Sequence, residues 1–112
     1  LVDALQEAGI DGITATNTTI DHRAVEGARH ADEAGGLSGR PLRDRATKVV
    51  ARVREQGGPD LPIIAVGGVM SGADAVEKIQ AGADLVQIYT GFIYEGPALI
   101  RHAARSIRDQ CD

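Results

Sequence analysis

Cysteine is nearly absent from this chain. Cys111 is the only one in 112 residues, which excludes an internal disulfide and suits a reducing compartment. An excess of basic residues is missing as well. Twelve Lys and Arg stand against sixteen Asp and Glu, for a net charge of −4, and that balance argues against a nucleic-acid surface. No apolar run approaches the ~20 residues a membrane-spanning helix needs. No signal peptide is visible, and the chain opens on Leu1 rather than Met, so its true N-terminus is expected to lie upstream. What remains, 43% hydrophobic and 25% charged, is the composition of one soluble globular domain.

The clearest positive signal is Pro62-Ile63-Ile64-Ala65-Val66-Gly67-Gly68-Val69. Its unbroken apolar run predicts a strand buried on both faces, as in a parallel sheet covered by helices. Ser71-Gly72-Ala73-Asp74 follows with capping-box spacing, so a helix is expected to start there. A strand, a glycine turn and a helix N-terminus together form an anion cradle of free N–H groups, which makes Gly67 and Gly68 a candidate phosphate site. The same residues equally suit a tight βα turn that holds nothing.

The rest of the chain repeats this grammar. Leu1, Val2, Leu5 and Ala8 have helical spacing and Gly9 stops the helix. No cap precedes Leu1, as in the tail of a longer helix. Gly12 to Thr16 reads as a strand running into Asn17-Thr18-Thr19. From Ile20 to Leu42 there is no periodicity. The charged stretch from Asp21 to Glu33 reads as a solvated excursion, whereas Gly35 to Pro41 reads as backbone held in a definite shape. Pro41 suits a first helical position, and Ala46, Val49, Val50 and Val53 form an inward stripe. Val76, Ile79 and Ala83 mark the next helix, and Leu85 to Tyr89 another strand. Gly96-Pro97 opens a last helix with Ile100, Ala103, Ala104 and Ile107 facing inward and Arg101, Arg105 and Arg108 outward. Glu7 to Ile13 echoes Gln80 to Val86, each a helix end, a glycine stop and a strand start.

Repeated βα units indicate an α/β fold with parallel strands, and right-handed crossovers bring every strand's C-terminal end to one rim. Asn17, Gly67-Gly68 and Tyr89-Thr90 then share that rim, where such folds bind ligands. Three strands cannot close a barrel. The truncated first helix and the apolar strands favour the C-terminal three βα units of a TIM (β/α)8 barrel over a small open α/β unit. Backbone N–H groups at Gly67-Gly68 and Tyr89-Thr90-Gly91, with a short helix near Phe92 to Glu95, match the phosphate site after strands seven and eight of such barrels. Asn17 supplies an amide for a planar heterocycle or a carboxylate, or else only shapes an Asx-turn. The rim lacks a nucleophile, a base and a lysine. His22, His30 and His102 have no metal-ligand spacing and read as surface residues, and Lys48 and Lys78 fall inside helices. The site can hold a phosphorylated cofactor and part of a substrate but shows no proton-transfer residue of its own.

Four ordered motifs, Ala15-Thr16-Asn17-Thr18-Thr19, Gly35 to Leu42, Ile63 to Val69 and Leu85 to Pro97, together resemble dihydroorotate dehydrogenase. Arg40-Pro41 after Ser38-Gly39 is similar to the quinone-linked, membrane-associated class. The resemblance implies an FMN-binding barrel in which Thr16 and Gly39 contact FMN, and Gly68, Tyr89 and Thr90 hold its phosphate; Gly67, from the cradle read above, counts among the cofactor-binding residues. Asn17 and Thr18 are implied to bind the dihydroorotate or orotate ring and carboxylate. The implied reaction oxidises dihydroorotate to orotate in pyrimidine synthesis. A base takes the C5 proton, hydride passes from C6 to flavin, and ubiquinone or menaquinone reoxidises the flavin. In that class a serine base, a flavin-contacting lysine and a quinone-admitting helical pair all precede the region corresponding to Leu1. The 112 residues are therefore expected to be one piece of a barrel domain, inactive alone, from a protein peripheral to the cytoplasmic face of the membrane. The rival readings are a soluble-class dihydroorotate dehydrogenase, another FMN barrel oxidoreductase, and a non-catalytic half-barrel that self-associates through its sheet edges.

Overall fold

The computed structural model describes residues 1–18, 26–28 and 35–111. Within them the chain runs through α1 (Val2–Glu7), β1 (Ile13–Ala15), α2 (Arg43–Gly57), β2 (Ile63–Val66), α3 (Gly72–Ala81), β3 (Leu85–Gln87), α4 (Thr90–Glu95) and α5 (Ala98–Cys111). The strands form one parallel three-stranded sheet in the order β1-β2-β3. Ile13 pairs with Ile63 and Ala15 with Ala65, while Ala65 pairs with Val86 and Val66 with Gln87. All three C-terminal ends therefore lie along one rim, as the βα grammar requires. Thr16 N–H donates to Val66 O at 2.8 Å, which carries the ladder one residue past β1 and brings Thr16 beside the glycine turn.

Helices cover one face of this sheet. Ile63 and Ala65 are fully buried, and with Val2, Ala15, Val50, Leu61 and Ala83 they make the main apolar cluster. A second cluster joins Val69, Ala75 and Ala103, with Val86, Ile88 and Ile107 packed against it. Arg54 of α2 ties down the opposite end of the sheet. It donates to Gly82 O and Gly58 O and pairs with Asp84 at 2.8 Å, and Asp84 also accepts from Ile63 N–H.

Several expectations are corrected. Burial of the strands on both faces does not hold: β2 alternates between buried and half-buried residues, and Leu85 in β3 is 62% exposed. Period-2 geometry sends alternate side chains to opposite faces, and among the described residues only one face has helices against it. The third strand ends at Gln87 rather than Tyr89, because α4 begins at Thr90. On α5, Ala103 is buried and Ile107 packs in the second cluster as expected, whereas Ile100 and Ala104 are exposed and Leu99 is buried instead. The inward stripe of α5 thus takes Leu99 in place of Ile100. Ser71 does cap α3, its hydroxyl accepting from Asp74 N–H at 3.2 Å. Thr19 and most of the Asp21 to Glu33 excursion lie outside the described residues, apart from the exposed Glu26, Gly27 and Ala28.

Candidate functional site

A cleft of about 200 Å³ opens on the rim. All of the residues singled out from sequence line it: Thr16, Asn17 and Thr18 after β1, Gly67 and Gly68 after β2, Tyr89 and Thr90 after β3, and Gly39 from the preceding loop. Val66 and Gln87 form its floor where the strands end. A complete cofactor pocket usually measures about 300–1,000 Å³, so this cleft has room for part of one.

The loop from Gly35 to Pro41 forms one wall. Ser38 and Thr90 share a hydrogen bond between hydroxyls at 2.9 Å. Gly39 sits at φ 76°, and a Cβ there would lie 3.0 Å from the Thr90 methyl. Residues 40–42 then make a single 3₁₀ turn that leads Pro41 into α2. On its far side the loop borders a second, wider groove that includes Met70, Tyr94 and Glu95.

The glycine turn has a physical reason that sequence reasoning did not supply. Gly67 and Gly68 have φ of 131° and 73°. A Cβ on Gly67 would lie 2.7 Å from Ala46 Cβ, and one on Gly68 would collide with the Arg43 backbone. The missing side chains therefore first allow the start of α2 to pack beneath the turn. That packing leaves the other side open. Among the described residues, the N–H groups of Gly67, Gly68 and Val69, and those of Thr90 and Gly91, donate to no protein acceptor. Converging unpaired amides form an anion-binding concavity, so this donor set fits a phosphate.

On the first strand end the chemistry is neutral. Asn17 Oδ1 accepts from Thr18 N–H at 2.8 Å, and Thr16 Oγ1 donates to Asn17 O. The Asn17 oxygen is thus engaged in shaping the turn, while its NH₂ has no partner among the described residues. The cleft lining holds amides and the hydroxyls of Thr, Ser and Tyr, with no carboxylate, imidazole, thiol or amine among the described residues. No group of three or more metal-ligating side chains occurs among them either.

Sequence reasoning missed the support beneath the turn. Lys78, set aside as a helix residue, is fully buried in the seam between α2 and α3. Its ammonium donates to Arg43 O at 2.8 Å and to the Thr47 hydroxyl, and burial pushes its pKa below the ordinary lysine value. Asp74 is also buried, accepting from Arg43 Nη1 at 3.2 Å and from Met70 N–H at 3.0 Å. The hydrogen bonds that the Arg43 guanidinium donates to Asp44, then to Asp74, raise its pKa above its usual value. The signal for this network was the Asp74–Lys78 pair at i, i+4. Its partners lie more than thirty residues upstream, at Arg43 and Thr47.

Comparison with known proteins gives one answer. The family model described as dihydroorotate dehydrogenase matches residues 1–110. The dihydroorotate dehydrogenase (quinone) of Verminephrobacter eiseniae is 61% identical over 104 residues, covering 93% of this chain and 29% of that protein. Its namesake from Paracidovorax citrulli is 56% identical over 108 residues, covering 96% and 30%. Among solved structures, Eimeria tenella DHODH in complex with ferulenol superposes with a TM-score of 0.87 at 40% identity, over 95% of this chain and 28% of that one. The chain thus spans about 30% of the length of the curated relatives it matches.

Proposed function

This chain belongs to the dihydroorotate dehydrogenase family, and on that premise we propose that it is the C-terminal part of the FMN-binding barrel of a quinone-linked enzyme oxidising dihydroorotate to orotate in pyrimidine synthesis. The observation that carries the reading is the convergence of three strand ends on one cleft, with unpaired amides after the second and third. In this reading the Gly67, Gly68 and Thr90 amides, with Tyr89 beside them, hold the FMN phosphate. Thr16 and Gly39 lie against the flavin. Asn17 and Thr18 bind the dihydroorotate ring and carboxylate.

When bound, FMN supplies the two-electron acceptor for the oxidation, and a ubiquinone or menaquinone takes the electrons onward. The residues of this chain bind and orient. The Asn17 NH₂ is a neutral donor, suited to a carboxylate or a ring carbonyl without adding charge to the site. The fixed amides meet the phosphate without reorganisation, which is how preorganised dipoles contribute most. The tether between Ser38 and Thr90 holds the loop wall in place. Proton abstraction needs a group that the described cleft does not contain, and the reading assigns it to a part of the enzyme outside these residues. Peripheral attachment to the cytoplasmic face of the membrane belongs to the same proposal. Among the described residues, no helix is long and apolar enough to cross a membrane.

The test is the full-length enzyme purified and assayed with dihydroorotate and a soluble ubiquinone or menaquinone analogue, its flavin released by denaturation and identified. Stoichiometric FMN and dihydroorotate-dependent quinone reduction are expected. A protein without flavin, or one that reduces only a soluble acceptor such as fumarate or a nicotinamide, contradicts the reading.

A further inference from the structure

The turn that carries the unpaired amides is gripped along its whole length. At its start, Val66 O accepts from Thr16 N–H at 2.8 Å. In its middle, Gly68 rests directly on the backbone of Arg43. At its end, Met70 N–H donates to Asp74 Oδ2 at 3.0 Å, and the other oxygen of the same carboxylate takes Arg43 Nη1 at 3.2 Å. Arg43 is therefore the anvil of the turn, and two side chains of α3 fix it. Asp74 holds its guanidinium and Lys78 holds its carbonyl at 2.8 Å.

Lys78 is an expensive way to fill a helix seam. It is fully buried and forms no ion pair among the described residues. A buried ammonium costs free energy even when hydrogen-bonded, and an apolar side chain of similar length would pack at lower cost. What an apolar residue could not do is hold Arg43 O and Thr47 Oγ1 at fixed positions. The polar choice matters where the place of Arg43 matters, directly beneath Gly68.

We propose that Lys78 and Asp74 are positioning residues for phosphate recognition: by clamping Arg43 they set the spacing of the Gly67, Gly68 and Val69 amides. Neither side chain lines the cleft, so neither touches the ligand. The inference rests on the FMN reading above and adds to it which residues tune the cofactor's phosphate grip.

Riboflavin offers the same ring system without the phosphate, so the preference for FMN over riboflavin isolates the cradle. The full-length enzyme is stripped of flavin and titrated with each, following flavin fluorescence. In Lys78→Met and Asp74→Asn, FMN affinity is expected to fall about tenfold, with riboflavin affinity changed by less than about twofold. A general loss of folding would weaken both flavins alike. An unchanged FMN-to-riboflavin preference in both variants overturns the proposal. Should either variant fail to fold, Thr47→Val decides. It removes one Lys78 acceptor at a half-buried position; a reduced preference supports the clamp and an unchanged one refutes it. If the unsubstituted enzyme itself shows no preference for FMN, the phosphate reading of the cleft fails, and the proposal falls with it.

Discussion

Ile63 and Ile64 are adjacent in the chain and have opposite surroundings. Ile63 shares its face with Ile13, Ala15, Ala65 and Val86, and every one of these packs in an apolar cluster beneath the helices. Ile64 shares the other face with Thr14, Val66, Leu85 and Gln87, none of which belongs to either cluster. Yet the second face is also rich in apolar side chains, and it leads straight to the cleft through Val66 and Gln87. A surface left to water would not be expected to keep Ile64, Val66 and Leu85 together. The interior of a closed barrel is filled by such side chains, and the proposed parent barrel supplies that cover. The difference teaches that this segment is built for two partners: its own helices on one side, and the rest of a barrel on the other.

The largest effect is expected where the covered face meets the rim. Gly68→Val places a β-branched side chain at φ 73° and against the Arg43 backbone. Left-handed strain and overpacking each cost about 1–3 kcal/mol, so a loss of about 4 kcal/mol is expected by urea denaturation. A near-neutral result would mean that the turn does not rest on α2. In the 112-residue chain, Ile63→Ala is expected to cost about 2–5 kcal/mol, and Ile64→Ala clearly less, because its cavity would open to solvent. In the full-length enzyme the two costs should converge. If Ile64 stays tolerant there, the second face is not a barrel interior.

A subtler effect concerns the seam under the covered face. Burial lowers the Lys78 pKa from the ordinary 10.5, so between the folded and unfolded values the unfolded chain binds more protons. The penalty of the buried charge is fully present below the folded pKa and is relieved as pH rises towards 10.5. Stability attributable to Lys78 should therefore rise with pH in the alkaline range. Lys78→Met should flatten that rise in denaturation curves recorded at neutral and alkaline pH. An identical pH slope in both proteins would show that the ammonium is not buried as described.

Much of this was legible in the sequence because it is local. Gly9 and Gly82 stop helices, Ser71 caps one, and short apolar runs between them make strands, so the shared rim of Asn17, Gly67-Gly68 and Thr90 followed from topology. What escaped depends on distant partners. Nothing near Lys78 in the chain reveals Arg43 O and Thr47 as its acceptors. Likewise Gly67 and Gly68 signalled a close approach without saying that Ala46 and Arg43 are what approaches. The exchange of Ile100 for Leu99 on the inner face of α5 was likewise not legible. Leu99 and Ile100 are both apolar, and only the packed fold, which sets Leu99 beside Gly91 of α4, selects Leu99 for the interior. The face of Ile64 was read as buried because apolarity records what a strand is built for, whichever partners are beside it.

A crystal structure of the full-length enzyme with FMN would show whether the three strand ends hold the cofactor. Phosphate oxygens are expected within hydrogen-bonding distance of the Gly67, Gly68 and Thr90 amides, with the ring system reaching Thr16 and Gly39. A phosphate bound away from these amides, with the cleft between the three strand ends left to solvent, would contradict the FMN reading.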